Sequence, residues 1–236
     1  MQLQIDKFGD NGVLFRWPQT ISGEIHRDIL ALDAFLRKEH TQSLLETVVA
    51  YNELAVFLKE GQEIDRFIRD FSWTKPNDFV HGPNSITYVV PVCYDLHFAK
   101  DLSRVAEHCG MRKEEVILLH TSVKYEVKFI GFLPGFPYLS GLDRRLHTPR
   151  LAEPRKSIEK GAVGIGGKQT GVYTMKSPGG WNIIGRSPLS LFRVEASPPS
   201  VFQPGDNIVF EAISMQEFKR IESLVEMGTF EIQRIT

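Results

Sequence analysis

The chain is 236 residues long, with 42% hydrophobic and 24% charged residues, an ordinary globular composition that can bury a substantial core in one large domain or two small ones. Its formal net charge of -1 supplies no basic field, which argues against nucleic acid or an anionic membrane as the main partner. Met1-Gln2-Leu3-Gln4-Ile5-Asp6 has neither a basic n-region nor an apolar h-region, no apolar run approaches the ~20 residues of a membrane span, and Cys93 and Cys109 read as free thiols among apolar neighbours, so a cytoplasmic protein is expected.

Residues 1–17 read as strand, glycine turn, strand: Leu3 and Ile5 alternate with polar residues, Gly9-Asp10-Asn11-Gly12 turns, and Val13-Leu14-Phe15 resumes. Ser22 is placed to cap a helix with Ile25, Ile29, Leu32 and Leu36 on one face and Glu24, Arg27, Asp28 and Arg37 on the other. Leu44 to Leu58 is rich in β-formers, as two strands or one bent one, and Gln62 to Phe71 carries Ile64, Phe67, Ile68 and Phe71 at helical spacing. This order describes a small α+β sandwich with helices on one sheet face. Trp73 to Ser85, with Pro76, Asn77, Gly82 and Pro83, breaks both periodicities and predicts a linker, dividing the chain into domains 1–80 and 81–236.

In the second domain Ile86 to Val92 predicts a strand, and Asp101 caps a short helix whose Leu102, Val105, Ala106 and Cys109 face inward before Gly110 stops it. A helical turn over Met111 to Val116 leads into Ile117-Leu118-Leu119-His120, with His120 at the start of a strand, and Tyr125 to Ile130 alternates as another. Between Tyr125 and Phe192 glycines and prolines crowd together in three blocks: Gly131-Phe132-Leu133-Pro134-Gly135-Phe136-Pro137-Tyr138-Leu139, Gly161 to Gly171, and Ser177 to Pro188. Glycine permits positive φ and close backbone approach, so this backbone is expected to shape a concave site lined by exposed amides and a few arginines. Leu189-Leu191-Phe192-Val194 and Ile208-Val209-Phe210 predict further strands around a Gln203-Pro204-Gly205-Asp206 turn, and Phe218, Ile221 and Leu224 fit a last helix. So many short strands point to a closed or nearly closed barrel.

These motifs resemble the KipI/PxpB family: the B subunit of bacterial ATP-dependent 5-oxoprolinase, also labelled allophanate hydrolase subunit 1 or kinase A inhibitor. The resemblance covers nearly the whole chain, from Gly9-Asp10 through Pro91-Val92-Cys93-Tyr94, Asp101-Leu102, His120-Thr121, the three glycine blocks and the Pro149-Arg150 and Pro154-Arg155 steps to Pro204-Gly205-Asp206. It implies a small N-terminal α/β domain followed by a cyclophilin-like β-barrel. It implies also a hydrolase working with KipA/PxpC-like and LamB/YcsF-like subunits on 5-oxo-L-proline, using ATP with magnesium at the level of the complex; fused relatives form the carboxyltransferase part of urea carboxylase. Two departures fall at the pocket rim: Glu159-Lys160-Gly161-Ala162-Val163 where relatives usually read Pro-Ala-Gly-Ser-Val, and Thr174-Met175 where a proline is common. Inhibition of a sensor histidine kinase is the alternative function, and a role in urea or allophanate metabolism a weaker one.

Opening a cyclic amide with ATP requires cations for carboxylate or phosphate, donors for an oxyanion and a base for water. Arg150, Arg155 and Arg186, beside prolines or glycines, are candidates to hold a small anionic substrate, with surface ion pairing as the alternative. His120 is the candidate proton-transfer residue, or else a satisfied structural histidine. Lys168, Gln169 and Thr170 present polar atoms after the Gly164–Gly167 turn, and Ser177, Gly179 and Gly180 join them from the third block. Tyr138 and Trp181, next to turns, are pocket or interface aromatics, whereas Phe132 and Phe136 fit the barrel core equally well. There is no GxxxxGK[ST] loop and no Gly-x-Ser-x-Gly elbow, and His26, His40, His81, His97, His108 and His147 lack metal-ligand spacing, so no metal site is expected on this chain.

Overall fold

In the computed structural model, which describes residues 3–18, 23–75 and 85–235, the opening hairpin forms as β1 (Gln4–Phe8) and β2 (Gly12–Arg16), paired from Gln4↔Arg16 to Phe8↔Gly12. Helix α1 (Gly23–Glu39) buries Ile25, Ile29, Leu32 and Leu36, as their spacing predicts. Asp28, expected on the polar face, is buried as well and is paired with Lys75. Leu44 to Leu58 resolves into two strands, β3 (Leu44–Val49) and β4 (Glu53–Leu58), and α2 (Ile64–Asp70) follows. The antiparallel order β1-β2-β4-β3 leaves Phe15 to meet the Phe71 ring, just past α2, at 4.9 Å. The expected Ser22 cap and the 76–84 stretch of the expected linker lie outside the described residues; contacts divide the chain into Met1–Ser85 and Ile86–Thr236.

The second unit is built on β5 (Thr87–Cys93), which runs parallel to β13 (Asn207–Ile213) from Thr87↔Asn207 to Cys93↔Ile213. With β6 (Lys124–Ile130), β7 (Pro137–Ser140), β9 (Ala162–Gly166), β10 (Gln169–Val172) and β12 (Asn182–Arg186) they form a ring ordered β12-β9-β10-β7-β6-β13-β5, closed by Arg186↔Cys93 between β12 and β5. Closure removes the open edges that a sheet of this length would otherwise present. Tyr125, Val127, Leu139, Val163, Ile165, Val172, Ile184 and Phe210 fill the main core. A ribbon of β8 (Arg155–Ile158) and β11 (Ser177–Gly179) stands apart from the ring, while β14 (Arg234–Ile235) adds to β5. Helix α3 (Leu102–Cys109) packs on β12 and α4 (Lys113–Thr121) on β13, and α5 (Met215–Glu226) is capped by Ser214, whose hydroxyl accepts from the Glu217 N–H.

Three expectations are corrected. Ile117-Leu118-Leu119-His120 does not open a strand but completes α4: the Arg112 N–H donates to the Glu115 carboxylate at 2.8 Å to start the helix. Val116 and His120, four apart, are then buried together while Leu118 points outward. The stretch from Leu189 to Val194 buries Leu189 and Leu191 but forms only an isolated Phe192↔Ser200 bridge. Pro188, Pro198 and Pro199 lack the N–H groups a ladder needs. Asp101 precedes α3 but its side chain makes no capping bond.

The glycine blocks also act differently from expectation. An added Cβ on Gly166 would lie 2.4 Å from the Trp181 Nε1, one on Gly164 3.2 Å from its Cβ, and one on Gly171 3.1 Å from its Cζ3 and closer still, 2.7 Å, to the Pro137 carbonyl. Trp181 is buried together with Phe136, Ile158, Tyr173 and Ile183. These glycines therefore clear the volume for an indole between β9, β10 and β12, where amide donors for a ligand were expected. Gly166→Ala is predicted to cost about 1–3 kcal/mol through overpacking and to lower Tm by roughly 3–10 °C in a thermal melt. Gly167→Ala, at φ +67° with open space around it, should cost only ~1 kcal/mol from backbone strain. Equal losses in the two variants would show that the indole is not the constraint.

Candidate functional site

The site begins with a buried carboxylate. Asp101 receives a forked pair from Arg155, Nη1 to Oδ2 at 2.8 Å and Nη2 to Oδ1 at 2.6 Å, and its Oδ2 also accepts the Ile183 N–H at 2.7 Å. The Asp101 N–H in turn donates to the Ile183 carbonyl at 2.8 Å. The start of α3, strand β8 and strand β12 are thus pinned at one point, and bidentate geometry fixes the guanidinium plane.

Around that point opens a cleft of about 190 Å³, lined by His97, Phe98, Lys100, Arg155, Ser157, Ile158, Glu159, Ala162, Ile183, Gly185 and Arg186. Arg186 is held over the rings of Phe98 and Phe218, 5.3 and 5.5 Å from their centroids, while its Nε donates to the Lys160 carbonyl at 2.9 Å. A guanidinium stacked in this way keeps its charge and loses little freedom when it meets an anion. Lys100 adds a third cation. The one carboxylate on the lining, Glu159, is held below the usual carboxylate range first by its hydrogen bond to Lys176 and further by Arg186 and Lys100. The cleft is suited to a small carboxylate or phosphoryl group.

Of the three expected arginines, two converge on this cleft and Arg150 does not. Arg150 is exposed and lies 5.9 Å from the Trp181 ring, on the side of Tyr138. Tyr138 stacks on Phe129 at 4.2 Å, and burial first of all pushes its hydroxyl above the ordinary value. Trp181, expected on a pocket or interface, is core. Gly179 is needed for packing, since a Cβ there would come 2.4 Å from the Tyr173 hydroxyl, and the Gly180 carbonyl accepts the Leu151 N–H at 2.7 Å. Ser177 is buried and donates to the Pro178 carbonyl at 3.1 Å. Lys168 is exposed at the β9–β10 turn beside half-buried Gln169, and neither lines the cleft.

His120 is not placed for proton transfer to a ligand. It is 0% exposed, stacked on Phe210 at 4.6 Å, with Nδ1 2.7 Å from the Tyr94 hydroxyl and Nε2 2.9 Å from the Thr170 hydroxyl. Thr170 donates its own proton to the Gly164 carbonyl at 3.0 Å, so it must accept from Nε2–H, which leaves Nδ1 to accept from Tyr94. Burial lowers the imidazole from 6.5 to about 3 and raises Tyr94 well above its ordinary value. Thr170, expected near a ligand, belongs to the same internal chain. Glu159, part of the departure expected at the rim, does line the cleft, whereas His97, Phe98 and Lys100 enter it without any signal in their spacing, because only the approach of the segment before α3 to β8 and β12 brings them there.

The same architecture occurs in known proteins. The family model of the carboxyltransferase domain, subdomains C and D, matches residues 3–202. A 5-oxoprolinase B subunit from Bacillus subtilis (strain 168) is 34% identical over 232 residues, 92% of this chain and 96% of that one. A 5-oxoprolinase B subunit from Escherichia coli O157:H7 is 42% identical over 170 residues, 71% of this chain and 78% of that one. Among solved structures, the K. lactis urea amidolyase matches 99% of this chain with a TM-score of 0.75 at 18% identity, a likeness of fold alone, and the chain spans 16% of its length.

The neutral state of His120 has a pH signature. Above pH 6.5 neither folded nor unfolded chain protonates it; as pH falls from 6.5 toward about 3, the unfolded chain binds a proton that the folded one refuses, so stability declines in that window. His120→Gln, which cannot titrate, should show a stability profile shallower by up to about 1 kcal/mol per pH unit between pH 6.5 and 4, measured by urea unfolding. Parallel profiles for the two proteins would contradict the buried neutral imidazole.

Proposed function

The chain belongs to the family of the carboxyltransferase domain, subdomains C and D, which includes the 5-oxoprolinase B subunits, and we propose that it is the B subunit of an ATP-dependent 5-oxoprolinase. The observation that carries the reading is the coincidence of 34% identity over 92% of the chain to such a protein with a cleft that gathers Lys100, Arg155 and Arg186. The reaction is hydrolysis of 5-oxo-L-proline to L-glutamate: the lactam oxygen is activated by phosphoryl transfer, one water adds to the activated carbon and the ring C–N bond breaks with the nitrogen taking protons, and a second water hydrolyses the resulting open-chain acyl phosphate to the new carboxylate and inorganic phosphate.

In this reading Arg186 and Lys100 bind the substrate carboxylate or the transferred phosphoryl group, and Arg155, half-neutralised by Asp101, sets the shape of the wall. Cations already fixed in place cost little reorganisation when negative charge develops. Among the described residues no group of three or more His, Cys, Asp or Glu side chains is gathered for a metal, and the sequence has no GxxxxGK[ST] loop; a magnesium nucleotide needs only one or two carboxylates beside its own phosphates. ATP with magnesium is assigned to the level of the complex with KipA/PxpC-like and LamB/YcsF-like subunits, this chain being inactive alone. We place it in the cytoplasm; among the described residues no helix is long and apolar enough to cross a membrane.

The test mixes the purified chain with its KipA/PxpC-like and LamB/YcsF-like partners, ATP, magnesium and 5-oxo-L-proline and follows glutamate. Arg186→Ala should lower kcat/KM roughly 10- to 100-fold, the loss of one charge-assisted contact, while the melting curve stays cooperative. Unchanged turnover would remove Arg186 from the site. An inert mixture, with the chain alone blocking autophosphorylation of a sensor kinase, would overturn the oxoprolinase reading in favour of inhibition.

A further inference from the structure

Beside the cleft lies a second hollow of about 390 Å³. One wall is a single face of α5, where Met215, Phe218, Lys219 and Glu222 recur at helical spacing, and the other is His97 and Phe98. Both hollows include His97, Phe98 and Arg186, so they meet at the Arg186 guanidinium, which lies over the neighbouring Phe98 and Phe218 rings, themselves 4.5 Å apart. Glu222 Oε1 is 3.8 Å from Arg186 Nη2, an ion pair too long for a hydrogen bond, so its carboxylate keeps lone pairs for a donor.

The charges change along this path. The cleft offers Lys100 and Arg186, its carboxylate Glu159 being engaged by Lys176, whereas the second hollow adds to the shared Arg186 one further cation, Lys219, and one anion, Glu222. A cyclic amide acid carries a single carboxylate and no ammonium, and fills the cleft alone. Hydrolysis of the ring C–N bond, with the water oxygen going to the carbonyl carbon and protons to the nitrogen, creates a second carboxylate and an ammonium. Those are the two groups that Lys219 and Glu222 match.

Resting on the oxoprolinase reading, we propose that the two hollows form one trough for a small open-chain α-amino dicarboxylate. One carboxylate lies between Lys100 and Arg186, the other at Lys219, and the ammonium at Glu222. The cyclic ligand occupies the first half and the open one both, which makes the trough a product subsite that no substrate contact requires.

Calorimetric titration of the full chain with L-glutamate, glutarate and 5-oxo-L-proline tests this. Lys219→Ala should weaken glutamate and glutarate ~10-fold, equivalent to about 1.4 kcal/mol, and 5-oxo-L-proline by much less. Glu222→Gln should weaken glutamate ~5-fold or more while glutarate, which has no ammonium, binds as well or better. Dicarboxylate affinities unmoved by Lys219→Ala, an ammonium preference unmoved by Glu222→Gln, or no heat with any of the three probes would overturn the trough. Failure of the underlying reading shows separately: an inert reconstituted complex removes that reading, whereas an active complex with these affinities unmoved removes only the trough.

Discussion

The second unit depends on one buried carboxylate. Asp101 ends the loop that carries His97, Phe98 and Lys100, and its two oxygens take three N–H donors, two from Arg155 on β8 and one from Ile183 on β12. Leaving such a charge buried without its partner costs on the order of 3–5 kcal/mol, more than most single contacts, so the three segments cannot drift apart independently. The consequence reaches the site directly: the wall carrying Lys100, the ribbon carrying Arg155 and the strand carrying Arg186 all converge where Asp101 ties them. The tie also spends much of the Arg155 charge, which leaves Arg186 and Lys100 as the other cations of the lining.

Elements whose pattern has a single period were legible in the sequence. The hairpin at Gly9 to Gly12, helix α1 with its Ile25, Ile29, Leu32 and Leu36 stripe, helix α5 and strand β6 lie where alternation or helical spacing puts them. The closed barrel follows from the density of short strands, although the parallel pairing of β5 with β13 has no local signature. Only the first half of α4 was legible, as the helical turn up to Val116; the rest was hidden because Val116-Ile117-Leu118-Leu119 is as apolar as a buried strand, and only the pairing of Val116 with His120, one turn on, separates the two readings. The 189–194 loop shows the converse, strand-like residues whose backbone is diverted by the prolines on either side.

The glycine blocks are the instructive case. Close backbone approach was the right physical expectation, but the approaching group is the Trp181 indole and the Tyr173 hydroxyl, parts of the chain itself. A glycine needed for a ligand and one needed for a tryptophan look alike in a sequence, since both report only that a Cβ would collide. The motifs that carry the resemblance to the family are thus in good part motifs of packing, and they identify the barrel more directly than they identify the chemistry.

His120 teaches the same distinction for a titratable group. An imidazole near 6.5 is useful to an enzyme only if it keeps that value and can reach solvent or substrate; enclosed by Tyr94, Tyr125, Phe210 and Thr170, this one is held neutral and spends both nitrogens on the fold. Glu159, the carboxylate on the cleft lining, is held low by Lys176, Arg186 and Lys100, which makes it a weak proton acceptor. The cleft therefore concentrates positive charge, and the imidazole on its lining is that of His97, not His120. Its cations are fixed by contacts within the fold, Arg155 by Asp101 and Arg186 by the Lys160 carbonyl and two rings, so the charge of the wall is set by the packing of the barrel.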